Sequence, residues 1–157
     1  EYFHEMTDVI FKHNGTLDKY IGDGIMAVFG APQLTAPIDP AESAIQAVDA
    51  ALGMIEAHRK LIERLDPAKA FAFRIGINTG PVYAGFFGTR QRLEYTVMGD
   101  AVNTAARLEG QAEPNSMLIG EATRQALGGT FRVQEIGNVQ LKGKAQLVHT
   151  YKVLGRS

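Results

Sequence analysis

Lys19 and Asp23 stand four residues apart in the stretch Leu17-Asp18-Lys19-Tyr20-Ile21-Gly22-Asp23-Gly24-Ile25-Met26-Ala27-Val28-Phe29-Gly30. Two apolar, β-prone runs flank Gly22-Asp23-Gly24, and an Asp-Gly pair so placed is a strong hairpin signal. The turn presents a carboxylate at a sheet end, with a lysine one strand-length behind it. A carboxylate on a rigid turn suits a hard cation such as Mg²⁺, which keeps several waters and also takes phosphate oxygens. Turn chemistry selects Asp without any function, so the hairpin alone leaves a structural Asp23 and a solvated Lys19 equally open.

A second segment, Tyr95-Thr96-Val97-Met98-Gly99-Asp100-Ala101-Val102-Asn103-Thr104-Ala105-Ala106-Arg107-Leu108-Glu109, reads as a strand, a glycine turn and a helix capped by Gly99 or Asp100. Asn103 and Arg107 then lie one turn apart on a single face. Val102, Ala105, Ala106 and Leu108 make most of the rest apolar, so the helix is expected to be mostly buried. Polar groups on such a helix need partners. A ribose and a polyphosphate would supply them; a surface pairing of Arg107 with Glu109 or Glu113 would do so as well.

Together these segments resemble the catalytic domain of class III nucleotidyl cyclases, the adenylate and guanylate cyclase family. The resemblance is carried by residues 15–30, by Arg74-Ile75-Gly76-Ile77-Asn78-Thr79-Gly80, by Gly85-Phe86-Phe87-Gly88, by residues 95–108 and by Leu141-Lys142-Gly143-Lys144. They fall in the family's order and rough spacing over nearly the whole chain. Each is weak alone; five in register are specific.

The elements that must position these residues follow from pattern. A helix is expected over 2–13, hairpin strands over 16–21 and 24–29, and a loop over 31–37. Asp39-Pro40-Ala41-Glu42 starts a helix running to about 64, with Ala44, Ile45, Val48, Ala51, Leu52, Ile55 and Ile62 on one stripe. Strands are expected over 71–78 and 82–87, a polar connection over 90–94, and a strand over 95–98 ahead of the Asn103/Arg107 helix. A short strand over 117–119, a helix over 121–127, and a strand pair over 131–139 and 147–153 complete the chain. This mixture predicts one α+β domain over 1–157, with a mainly antiparallel sheet covered by helices. The family's ferredoxin-like βαββαβ core with a C-terminal extension matches it.

The chain has 157 residues, 45% hydrophobic and 21% charged, with a formal net charge of −1. That gives no basic footprint for nucleic acid. There is no cysteine, which rules out disulfides and thiolate metal sites and fits a reducing cytoplasm. His4, His13, His58 and His149 show no zinc-ligand spacing and read as structural or surface residues.

The resemblance implies a reaction: the ribose 3′-oxygen of ATP joins its own α-phosphorus and pyrophosphate leaves, giving 3′,5′-cyclic AMP. The family uses two metal ions per site, Mg²⁺ or Mn²⁺, held by two aspartates. Asp23 matches one. The other belongs to a first strand upstream of the helix that opens this chain, so that strand and its aspartate are expected to be missing and the chain to be a truncated domain. By resemblance, Asn103 orients the ribose, Arg107 neutralises charge near the α-phosphate, and Lys142 and Arg90 bind the terminal phosphates. Lys19 and Thr96 read the base. A lysine donor suits adenine N1, whereas the family's guanylate cyclases carry an acid there. Thr96 falls where many adenylate cyclases carry Asp, and its hydroxyl can accept from the adenine amino group. Threonine here resembles the subset that includes bicarbonate-responsive members.

The family's site lies between two domains, and this chain carries residues of both halves. The resemblance therefore implies a head-to-tail homodimer with two equivalent sites, and an upstream regulatory domain in the parent protein. The competing readings are a non-catalytic nucleotide-binding or dimerisation module of the same fold, and a guanylate cyclase, which Lys19 disfavours. A diguanylate-type cyclase is disfavoured too, since its Gly-Gly-acid-acid turn is absent.

Overall fold

In the computed structural model of the chain, the described residues are 2–30, 39–140 and 147–157. The first helix, α1 (Tyr2–Lys12), buries Met6 and Ile10, one turn apart. It ends at Asn14, whose φ is +65°, a conformation Asn tolerates better than most residues. The hairpin strands follow as β1 (Thr16–Ile21) and β2 (Gly24–Val28).

Helix α2 (Pro40–Arg64) begins as its sequence predicts, with the Asp39 side chain accepting from the Ala41 N–H at 3.0 Å. Its inner face carries the fold's main core. Ala44, Val48 and Ala51 pack with Met117, Ile119, Leu127, Phe131 and Val153, and Ile45, Leu52 and Ile55 pack against that cluster. The far end of the stripe runs through His58 and Leu61 rather than Ile62, because a long helix carries its buried line round its own axis. His58 is 3% exposed, packs on Phe71 and Phe73, and satisfies Nε2 on the Phe71 carbonyl at 2.8 Å. It is a core histidine, as its lack of ligand spacing implies.

The strands form a four-stranded sheet and two separate ribbons. The sheet runs β3 (Arg74–Ile77), β6 (Ser116–Gly120), β8 (Val148–Arg156), β7 (Phe131–Val139), with β3 and β6 parallel and the other pairs antiparallel. The ribbons are β1–β2 and β4 (Tyr83–Thr89)–β5 (Arg92–Met98), both antiparallel. β6 is buried along its full length, flanked by β3 and β8. Helix α4 (Glu121–Leu127) leaves its end at the expected residue. The architecture is thus α+β with antiparallel pairing predominant.

Two strand expectations need correction. The strand expected over 71–78 is only Arg74–Ile77. The segment 90–94, expected as a polar connection, is mostly strand, because Thr89 pairs with Arg92 and leaves a two-residue turn of Arg90 and Gln91. That end of the ribbon is exposed on both faces, so no apolar alternation marks it. Residues 31–37, expected as a loop, and the Lys142 motif at 141–144 lie outside the described residues.

Helix α3 (Asp100–Gln111) packs on β3 through one glycine. A Cβ on Gly76 would sit 2.2 Å from the Glu109 nitrogen and 2.3 Å from the Ala105 oxygen. Only the bare α-carbon lets helix and strand backbones approach so closely. Among the described residues, no helix is long and apolar enough to cross a membrane.

Candidate active site

The β1–β2 hairpin closes tightly. Ile21 pairs with Gly24, so Gly22 and Asp23 alone form the loop. Gly22 takes φ +60° and Asp23 does not enter the left-handed region, the glycine-first pattern of a two-residue hairpin turn. Gly24, half of the Asp-Gly signal, is already the first residue of β2. Asp23 is exposed, with no hydrogen bond or ion pair among the described residues. Its charge is felt by Tyr2, whose hydroxyl is pushed above its ordinary pKa first by burial and then by Asp23.

Lys19 stands opposite Met26 and also has no polar partner among the described residues. The ladder slips between Leu17 and Lys19, leaving Asp18 as the extra residue of a bulge. Bulges re-aim side chains and are common next to active sites. Here Asp18 meets β5: its Oδ2 accepts from the Thr96 hydroxyl at 2.7 Å and lies 3.4 Å from the Val97 N–H. Its Oδ1 is buried with no hydrogen-bond partner among the described residues. Asp18 and Thr96 line a cavity of about 180 Å³ with walls from Leu17, Val28 and Tyr95. The sequence pattern did not single out Asp18. The available signal was a carboxylate inside a strand, where Asp is depleted.

Strand β5 runs straight into α3 through Gly99, the N-cap, at φ 142°. Asp100 in the first turn complements the helix dipole. The inward face of α3 is Thr104 and Leu108, whereas Asn103 is exposed and Arg107 half-buried. The expectation of a mostly buried helix is therefore wrong: Ala106 also faces out, and α3 is a one-sided surface helix. Neither Asn103 nor Arg107 has a polar side-chain partner among the described residues, so Arg107 is not tied to Glu109 or Glu113. Glu113 pairs instead with Lys152 at 3.1 Å.

The fold thus joins Lys19's strand to Thr96 through Asp18, and chains Thr96 to Asn103 and Arg107 through one strand–helix turn. Arg90 is not brought to them. It sits in the exposed β4–β5 turn, five residues along the ribbon from Gly85, the partner of Thr96, or about 17 Å at ~3.4 Å per residue. Lys142 lies outside the described residues. A larger cavity of about 330 Å³ opens between the ends of β3, α3 and α4. Among the described residues its charged lining is Asp100 and Glu121, with no cation.

Among the described residues, no group of three or more His, Cys, Asp or Glu could hold a metal ion. Asp23 fits a narrower role. It is an exposed, unpaired carboxylate on a rigid turn, a suitable single ligand for an ion that completes its sphere with water, phosphate and a second carboxylate.

The chain belongs to the adenylate and guanylate cyclase catalytic domain family, whose sequence profile it matches over residues 1–155. It is 32% identical over 157 residues to adenylate cyclase 1 of Rhizobium meliloti, covering 99% of this chain and 23% of that protein. It is 36% identical over 141 residues to human atrial natriuretic peptide receptor 2, covering 86% and 12%. The chain therefore spans less than a quarter of either relative. Among solved structures, it superposes on the adenylyl cyclase CyaB of P. aeruginosa with a TM-score of 0.87 and 32% identity, over 98% of this chain and 78% of that one. The guanylyl cyclase Cya2 gives a TM-score of 0.90 and 33% identity, over 99% and 78%. Relatives of both nucleotide preferences are thus equally near in sequence and shape.

Proposed function

We propose that this domain is an adenylate cyclase, forming 3′,5′-cyclic AMP and pyrophosphate from ATP at sites shared by two copies of the chain. One observation carries the reading. Lys19 and Thr96, the side chains assigned here to the purine, belong to two elements that Asp18 bonds together, while Asn103 and Arg107, on the helix that continues from Thr96, have no polar side-chain partner among the described residues.

In this reading Lys19 donates to adenine N1 and Thr96 accepts from the 6-amino group. Asn103 holds the ribose so that its 3′-oxygen lies in line with the α-phosphorus, since positioning is most of what this step requires. Arg107 offers a fixed cation to the charge that develops on the α-phosphate oxygens. Lys142 and, more remotely, Arg90 take the terminal phosphates. Asp23 and a second carboxylate from the family's first strand would hold two divalent ions, which lower the pKa of the 3′-hydroxyl and neutralise phosphate charge when bound.

Homodimer formation is part of the proposal. The β4–β5 ribbon exposes Tyr83, Phe86, Leu93 and Met98 at 78%, 72%, 59% and 50%, more apolar surface than a free ribbon ordinarily leaves in water. A second copy would cover it. Turnover of ATP and GTP by the purified full-length protein with Mn²⁺ tests the reading. Cyclic AMP is expected as the main product. Cyclic GMP formed at least as fast would overturn the adenine assignment, and no turnover of either would favour the non-catalytic module.

A further inference from the structure

We infer that Asp18 is a specificity-positioning residue: it takes the Thr96 hydroxyl proton and so leaves Thr96 only lone pairs to offer the purine. The inference rests on the adenylate reading above and deepens it.

A threonine hydroxyl is ambidextrous, with one proton to give and two lone pairs to receive. Facing a purine, it could accept from a 6-amino group or donate to a 6-carbonyl, and by itself it would discriminate poorly. Three features remove that freedom. The Thr96 Oγ1 donates to Asp18 Oδ2 at 2.7 Å, within the range of a charge-assisted O–H···O⁻ bond. An ionised carboxylate accepts only, so the direction of this bond is fixed. Among the described residues Asp18 Oδ1 is buried and takes no partner, and Thr96 is the side-chain donor this carboxylate holds.

The surroundings keep the arrangement in place. Thr96 is 5% exposed, so little water competes for its proton. The bulge between Leu17 and Lys19 turns Asp18 toward β5, which regular alternation would not specify. The cavity of about 180 Å³ that both residues line has apolar walls in Leu17, Val28 and Val97, with Thr16 and Tyr95 beside them, and the Thr96 hydroxyl, its proton given to Asp18, offers it an acceptor. A 6-amino purine satisfies an acceptor. A 6-oxo purine sets oxygen against oxygen and leaves both unpaired in a partly desolvated place, the costly outcome. Asp18 touches no base in this account; it acts through Thr96.

The test compares binding of 3′-deoxyadenosine and 3′-deoxyinosine triphosphates, which lack the attacking hydroxyl, to the full-length protein by isothermal titration. The ratio of the two dissociation constants is internal to each variant, so a change in the folded fraction cancels. Wild type is expected to prefer the adenine nucleotide. Asp18→Asn, whose amide can donate to Thr96 and free its proton, is expected to cut that preference by about 10-fold, the scale of one discriminating hydrogen bond. Thr96→Val should cut it similarly. In the Thr96→Val background, Asp18→Asn should change the ratio no further. A purely packing role for Asp18 would lower both affinities and leave the ratio alone. Loss of preference in Thr96→Val but not in Asp18→Asn overturns the role of Asp18 while keeping Thr96 as a base reader. A ratio unmoved by Thr96→Val, or no adenine preference in wild type, overturns the underlying base-reading assignment and this inference with it.

Discussion

Arg107 lies half-buried on α3 without an ion-pair partner among the described residues, so its loss should appear in chemistry rather than in stability. Arg107→Ala is expected to lower kcat for ATP by about 100-fold, as deletion of a charge-stabilising donor typically does, with a smaller change in KM and an unshifted melting temperature. Arg107→Lys should recover little, since a point charge does not reproduce a planar fork. Steady-state kinetics beside thermal melts check both. A second residue-scale expectation concerns stability. Tyr151 donates to Glu121 at 2.6 Å, which holds the Glu121 carboxyl below its ordinary pKa and lifts the Tyr151 hydroxyl above its own. A lowered carboxyl pKa means stabilisation that is full above the unfolded value and lost as pH falls through the folded one. A raised phenol pKa means stabilisation that is full below the unfolded value and lost as pH rises through the folded one. The melting-temperature gap between wild type and Tyr151→Phe should therefore be flat near neutrality and narrow on both flanks. Lys19, Asp23, Asn103 and Arg107 stood out in the sequence by type and spacing, and the family resemblance supplied the roles proposed for them. Asp18 did not, because its meaning depends on a bulge and on a strand 78 residues away.

The elements decide whether those residues can act together, and α3 is the most constrained of them. The Gly76 contact leaves no room for a Cβ, since the opposing atoms are backbone and cannot swing aside. Gly76→Ala should push α3 off β3, destabilise the domain by roughly 1–3 kcal/mol, and reduce turnover by displacing Asn103 and Arg107. Denaturant unfolding read beside kcat tests this. Unchanged activity in a folded variant would show that α3 does not need its seat on β3. Elements with a strong one-sided pattern were legible: α2 starts at its cap and α4 fills its expected span. The β4–β5 ribbon was read too short at both strands, because its outer half is exposed on both faces and has no period to detect. The outward-facing side of α3 was misjudged for a related reason. Ala106 looks apolar in a pattern, but a methyl group burdens a water-facing position so little that alanine reports burial poorly.

At the scale of the whole molecule, the proposed site assigns both metal-side and base-side residues to one chain. Lys19 and Asp23 sit on one hairpin, the lysine within β1 and the aspartate at the loop. Neither has a polar partner among the described residues. In a head-to-tail homodimer each would serve a different site, Asp23 its own metal ions and Lys19 the base bound across the interface. Lys19→Ala and Asp23→Ala homodimers then have both sites broken. A mixed dimer pairs the intact aspartate of one chain with the intact lysine of the other and rebuilds one whole site out of two. Mixing the two inactive full-length variants should therefore restore cyclic AMP formation, up to about a quarter of wild type: random exchange makes half the dimers mixed, each with one working site of two. Exchange is followed independently with fluorescently labelled subunits. Restored activity that tracks exchange fits only a shared site. Complete exchange with activity at baseline would mean that Lys19 and Asp23 serve the same site, and the dimer proposed here would have to be redrawn.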